Sequence, residues 1–232
     1  MSGFVLKLIA VITMLIDHIG AVLFPDLQIF RIIGRVAFPI FCFLLVEGLL
    51  HTKNTGKYLL RLSLFALASE VPFDLAFKGS AVDFSGQNVF FTLALGLLAI
   101  YATEKLAEKS KWLLPVGIAL TAAVACAAEL LHTDYGWYGI AMIAAIYLFR
   151  KSRAALSGAM IALILIYSFV IKQGSLLVYE IAALPVILMY NGERGQNSAA
   201  VKYGFYAFYP AHLLCLYFLH MFFIPVDFTG IF

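Results

Sequence analysis

The sequence predicts an all-α protein: a polytopic membrane helix bundle of about nine transmembrane helices, forming a single domain over residues 1–232. Three observations lead there. Hydrophobic residues make up 63% of the chain and charged residues 12%, with a mean hydropathy of +0.97, the balance of an integral membrane protein. Several apolar runs reach about 20 residues, enough to cross a hydrocarbon core of about 30 Å. The runs are continuous and rich in Leu, Ile, Ala and Phe rather than alternating. Helices, which close their hydrogen bonds within each segment, are then the economical way to satisfy the backbone in lipid.

Apolar runs read against their polar punctuation give spans at roughly 4–24, 29–50, 58–77, 87–105, 112–131, 135–150, 153–172, 174–190 and 200–223. The first carries one early cation, Lys7, is interrupted by Asp17 and His18, and lacks a small-residue cleavage pattern, so it reads as a retained span rather than a signal peptide. The second ends before a connection bearing Lys53 and Lys57. The third ends at Lys78. The fourth closes before Lys105, Lys109 and Lys111, the fifth lies between two connections, and the sixth, the shortest, ends at Arg150, Lys151 and Arg153 and is either a full span or a re-entrant segment. Lys172 ends the seventh, and the eighth is followed by "NGERGQNS" (191–198), which reads as a solvated connector. Cations thus gather in alternate connections, which predicts a bacterial cytoplasmic-membrane protein with its N-terminus in the cytoplasm and its C-terminus outside. The net charge of +3 lies in these loops, so it implies contact with the lipid bilayer and no nucleic-acid partner. Cys42, Cys126 and Cys215 are isolated in apolar runs, and the five histidines lie on scattered segments, so neither a disulfide framework nor a metal site is expected.

Polar residues within the spans carry the functional signal. An ionised side chain at a helix centre costs about 2.5–3.5 kcal/mol to insert, so such residues are paired, face a wet cavity, or are used. Here they share one depth: Asp17 and His18 late in span one, Arg31 and Arg35 opening span two, Glu70 and Asp74 closing span three, and Gln87 and Asn88 opening span four. Glu129, Asp134, Tyr135, Glu180 and His212 fall in the corresponding part of later spans. A polar cavity is expected. Neighbouring helix positions diverge by about 100°, so Asp17 and His18 must face different partners. Arg31 and Arg35 either neutralise Asp17 or Glu70 or bind a ligand; Glu70 and Asp74 either serve as their counter-ions or grip a cationic acceptor. His18 is the candidate general base, its imidazole suiting proton abstraction near neutrality. At the cytoplasmic end, Lys57 and Arg61 form an i, i+4 pair, and Lys7 lies about three turns before His18 on one face. This pattern fits either simple anchoring or a site for an anionic ligand below the histidine. Tyr206, Tyr209 and His212 share one side of the last span, for helix packing or substrate contact.

The blocks "ITMLIDHIGAVLFP", "RIIGRVAFPIFCFLLVEGLLHT", "YLLRLSLFALASEVPFDLAF", "QNVFFTLALGLLAI" and "KYGFYAFYPAHLL" closely resemble, in that order, the TraX family, named after a conjugative-plasmid protein needed for N-terminal acetylation of F-pilin. That family resembles in turn the transmembrane acyltransferases that use cytoplasmic acyl-CoA. The resemblance implies an N- or O-acetyltransferase with acetyl-CoA as co-substrate and a pilin N-terminus or a glycan as acceptor. It implies an essential histidine eleven residues after a basic residue, mapping to His18 and Lys7, and a basic motif for CoA. The family group carries Arg-x-x-Arg there, whereas "KYLLRLS" offers Lys57 and Arg61. Asn88, Gln87, Arg35 or Tyr209 can stabilise the oxyanion, and Asp17 can set polarity or bind the acceptor amine. The rival classes are a proton-coupled transporter, disfavoured by the lack of clear inverted repeats, and a non-enzymatic pilin accessory.

Overall fold

The computed structural model describes residues 1–223, and every regular element in that stretch is helical. The order is α1 (Gly3–Leu23), α2 (Gln28–Gly34), α3 (Ala37–His51), α4 (Thr55–Lys78), α5 (Val89–Lys109), α6 (Leu114–Leu130), α7 (Gly136–Phe149), α8 (Arg153–Leu165), α9 (Ala183–Leu188) and α10 (Ala199–Phe223). Short side chains start many of them. Ser2, Asn54, Asn88 and Ser152 each accept a backbone N–H in the first turn of α1, α4, α5 and α8, supplying partners to amides that the helix itself leaves open. Helix α4 ends at Gly79, which takes the left-handed conformation (φ +69) that a helix C-terminus favours.

Six helical stretches are long and apolar enough to cross a membrane: Gly3–Leu23, Gln28–His51, Val89–Lys109, Lys111–Leu130, Arg153–Ile171 and Ala199–Phe222. The remaining three expected spans differ for two reasons. Helix α4 has the length, at 24 residues, but Lys57, Arg61, Glu70, Asp74 and Lys78 dilute its apolar character. Gly136–Phe149 and Leu176–Leu188 are apolar but short. Helix α7 is nonetheless continuous, with no reversal of the re-entrant kind.

Three spans are internally irregular. Arg35 and Val36 interrupt the second, dividing it into α2 and α3. Helix α8 passes into a π-helical segment, Ile166–Ile171, where Lys172 N–H reaches back to the Tyr167 carbonyl at 2.8 Å. The eighth begins as a 3₁₀ segment, Leu176–Ala182, before α9.

The chain runs back and forth between two ends of the bundle. At the N-terminal end the 189–194 segment is bonded to the chain start: Gly3 N–H donates to Glu193 at 2.7 Å and Phe4 N–H to Arg194 at 3.0 Å. At the far end, Gln87 N–H donates to the His132 carbonyl at 2.9 Å and the Gln87 carbonyl accepts from Asp134 N–H at 2.8 Å, tying the start of α5 to the turn at 131–135. Between them one apolar cluster, including Leu6, Ile40, Leu97, Met142, Ile164 and Leu213, ties α1, α3, α5, α7, α8 and α10 together. Helix α6 buries little beyond Gly117 and Ala128 and turns Val116 and Ile118 outward, as a lipid-facing helix does.

Candidate functional site

Asp17 and His18 diverge as adjacent helical positions must. Asp17 turns to α2, where its carboxylate accepts from Arg31 Nη1 at 2.6 Å and from Arg35 Nη2 at 2.6 and 2.7 Å. Arg35 Nε also donates to the Arg31 carbonyl at 3.3 Å. The approach is close because position 34 has no side chain: a Cβ at Gly34 would overlap the Asp17 carboxylate. This pair is well shielded on the carboxylate side, with 9% of the Asp17 side chain exposed. Breaking such a pair by removing one partner typically costs about 3–5 kcal/mol. Both Asp17 oxygens are engaged, so the acid neutralises the arginines, and Glu70 does not share that role.

Glu70 and Asp74 lie apart from the arginines. Glu70 accepts from the Asn88 amide, whose nitrogen also donates to the Ala66 carbonyl at 2.8 Å while its oxygen caps α5. Asp74 accepts from Asp83 N–H at 2.9 Å. These two acids therefore fasten the α4–α5 connection. Asn88 has both amide hydrogens committed, and the Gln87 amide donates one to the Phe84 carbonyl at 3.4 Å.

His18 turns the other way, to α10. Its Nδ1 lies 2.7 Å from His212 Nε2 with the rings nearly parallel. Phe77 and Tyr209 close on it edge-to-face at 5.2 and 6.0 Å between centroids. Tyr209 is buried and also lines a cavity of about 500 Å³ that reaches the N-terminal end of the bundle. Its walls carry Lys7, Lys53, Arg61, Arg194 and Lys202 against one carboxylate, Glu47. None of these five cations forms an ion pair among the described residues. The Arg61 guanidinium sits between the rings of Tyr58 and Tyr206, 5.1 and 5.2 Å from their centroids, and its Nε is buried without a partner. A guanidinium held flat by aromatic rings with an open donor suits an anionic group.

Lys57, the expected companion of Arg61, does not line this cavity. It stands exposed in the first turn of α4, its backbone N–H bonded to the Asn54 cap. Sequence reasoning missed Lys53, Arg194, Asn197 and Lys202, which all line the cavity. Arg194 and Asn197 belong to the segment read as a mere connector; the charge in "NGERGQNS" was the available signal. At the far end a second cavity, about 300 Å³, is lined by Arg35, Asp134, Tyr135 and Lys172 among others. Among the described residues no three His, Cys, Asp or Glu side chains converge as a metal site.

Fold and site together define a class: a helical bundle of membrane-spanning type, with an arginine–carboxylate cluster and a histidine pair placed above a cationic cavity. Comparison with known proteins narrows it. The family model described as "TraX protein" matches residues 2–220, and the chain belongs to the TraX family. It is 32% identical, over 93% of its own length and 94% of the relative's, to a protein of Dichelobacter nodosus named "Probable fimbrial assembly protein FimC, serogroup H1". It is also 36% identical to an uncharacterized protein, RP591, of Rickettsia prowazekii (strain Madrid E), over 41% of this chain and 35% of that one. No solved structure matches.

Proposed function

We propose that the protein is a transmembrane acyltransferase that moves an acetyl group from acetyl-CoA to an amine or hydroxyl of a membrane-associated or extracytoplasmic acceptor. One observation carries the reading: the cavity rich in cations that are unpaired among the described residues is lined by Tyr209, whose ring packs against His18. Lys7 and His18 are eleven positions apart on α1, about 16 Å along a helix. A long donor with a phosphorylated head and a reactive thioester tail fits that arrangement, its phosphates meeting Lys7, Arg61, Arg194 and Lys202 and its thioester lying near the histidine.

Acetyl-CoA is already activated, so the protein supplies a base, charge stabilisation and positioning. The acceptor's nitrogen or oxygen attacks the thioester carbonyl while His18 removes its proton. The new C–N or C–O bond forms, the tetrahedral oxyanion collapses, and the C–S bond breaks to release CoA as a thiolate, which is then protonated. The Tyr209 hydroxyl, whose ring packs against His18, is the candidate donor for the oxyanion, with Arg35 and Gln87 as alternatives; both amide hydrogens of Asn88 are already committed. The smaller cavity beside Arg35 and Asp134 suits an acceptor arriving from the far end. With the cation-rich connections in the cytoplasm, donor and acceptor approach from opposite sides of the bacterial inner membrane. The name of the Dichelobacter relative favours a pilin subunit as acceptor over a glycan.

The test is acetyl-CoA consumption by the purified protein in detergent, with a pilin N-terminal peptide as acceptor. The expected result is saturable turnover that disappears in His18→Ala. A wild-type protein that binds no acetyl-CoA and turns none over would return the chain to the transporter or accessory classes.

A further inference from the structure

His212 has a position that the reaction alone does not explain. Its Nδ1 lies 2.8 Å from the Phe208 carbonyl oxygen, one turn earlier on α10. A carbonyl oxygen only accepts, so in a neutral imidazole Nδ1 carries the hydrogen and Nε2 the lone pair. That lone pair meets His18 Nδ1 at 2.7 Å, and His18 Nδ1 must then be the N–H donor. The lone pair of His18 is left on Nε2. This atom has no hydrogen-bond partner among the described residues and is not fully enclosed, so it is the ring nitrogen left free to accept a proton. The T-shaped contacts of Phe77 and Tyr209 hold the His18 ring in this setting.

We infer that His212 is a positioning residue: anchored by the Phe208 carbonyl, it fixes His18 as the Nδ1–H tautomer and leaves Nε2 as the atom that takes the acceptor's proton. The role in proton removal rests on the acyltransferase reading; the tautomer does not. Once Nε2 is protonated, His18 is an imidazolium with hydrogens on both nitrogens. Its Nδ1–H bond to neutral His212 then becomes charge-assisted and stabilises the cation as it forms. The chain of carbonyl, histidine and histidine thus does with neutral groups what a carboxylate does for the histidine of a hydrolase triad.

Two measurements test this. Histidine-selective ¹⁵N NMR of the protein in lipid nanodiscs, with His18 assigned by comparison with His18→Asn, reads the tautomer directly. The expected signature is protonated Nδ1 in wild type, retained in His212→Gln, whose amide oxygen still accepts, and lost in His212→Leu. A His18 that carries its hydrogen on Nε2 in wild type, or keeps it on Nδ1 in His212→Leu, would overturn the inference. In acetyl transfer, His212→Leu should lower kcat about ten- to a hundredfold with the donor KM unchanged, and His212→Gln should recover most of the loss. Equal losses in the two variants would also overturn it. The spectrum reads no acetyl transfer, so an Nδ1–H tautomer in a wild-type protein without turnover would sink the function and leave the positioning intact.

Discussion

Helix α1 serves two regions that treat charge in opposite ways. Near its start, Lys7 joins four other cations around a cavity with a single carboxylate, and none of the five is ion-paired among the described residues. Near its end, one carboxylate, Asp17, is shared by two arginines at hydrogen-bond distance. The first region leaves its charge unpaired among the described residues; the second closes it to hold α1 against α2. Charges in such a bundle are therefore not equivalent markers of function. What separates them is whether the counter-charge is supplied by the chain.

That contrast can be broken by mutation. The largest effect is expected between the two regions: if the protein is the acyltransferase proposed above, His18→Ala removes its base and no binding contact, and should lower kcat for acetyl transfer by about 10²–10⁴-fold while donor affinity is retained. Single-turnover kinetics beside equilibrium binding of acetyl-CoA separates the two. Next, Asp17→Asn should lower stability by about 3–5 kcal/mol, since it leaves two arginines facing a neutral amide; denaturation of the purified protein reads this. If Asp17→Asn kept its stability and lost donor binding instead, the far cluster would belong to the donor site and the contrast would fail. Gly34→Ala attacks the same cluster sterically and should cost about 1–3 kcal/mol, the range for overpacking a close contact. Smaller still, Arg61→Gln should weaken acetyl-CoA binding about tenfold, or about 1–2 kcal/mol. Lys57→Gln should change it less than about threefold, as expected of an exposed charge. Equal losses from Arg61→Gln and Lys57→Gln would place both cations on the donor.

Much of the fold was legible from composition, because length and apolarity are local properties. The expected spans at 4–24 and 153–172 correspond to α1 at Gly3–Leu23 and the helical stretch Arg153–Ile171. The divergence of Asp17 from His18 also followed from helical geometry alone. Three kinds of feature were missed. The interruption at Arg35–Val36 follows Gly34 and lies four residues before Pro39, which has no N–H for the Arg35 carbonyl, a signal that the continuous apolar run concealed. Arg61 and Lys57 are four positions apart on α4, yet only Arg61 lines the cavity, while Lys57 stands exposed. The third kind is tertiary: His212 meets His18 across 194 positions, and Arg194 reaches the cavity because its segment bonds to the chain start. Neither leaves a local pattern.

The π-helical segment at Ile166–Ile171 bears on how the gene can change length. An α-helix turns about 100° per residue, so deleting one codon in the middle of α1 would rotate everything beyond it and carry Asp17 and His18 away from their partners. A wide turn already holds more residues than an α-helical one, and this one ends its span just before the turn at 172–175, so it can lose a residue by tightening without rotating α8 before it. Residues 166–171 are thus a stretch of the membrane-spanning part where a single-codon deletion should be absorbed, and where family members of slightly different length are expected to differ.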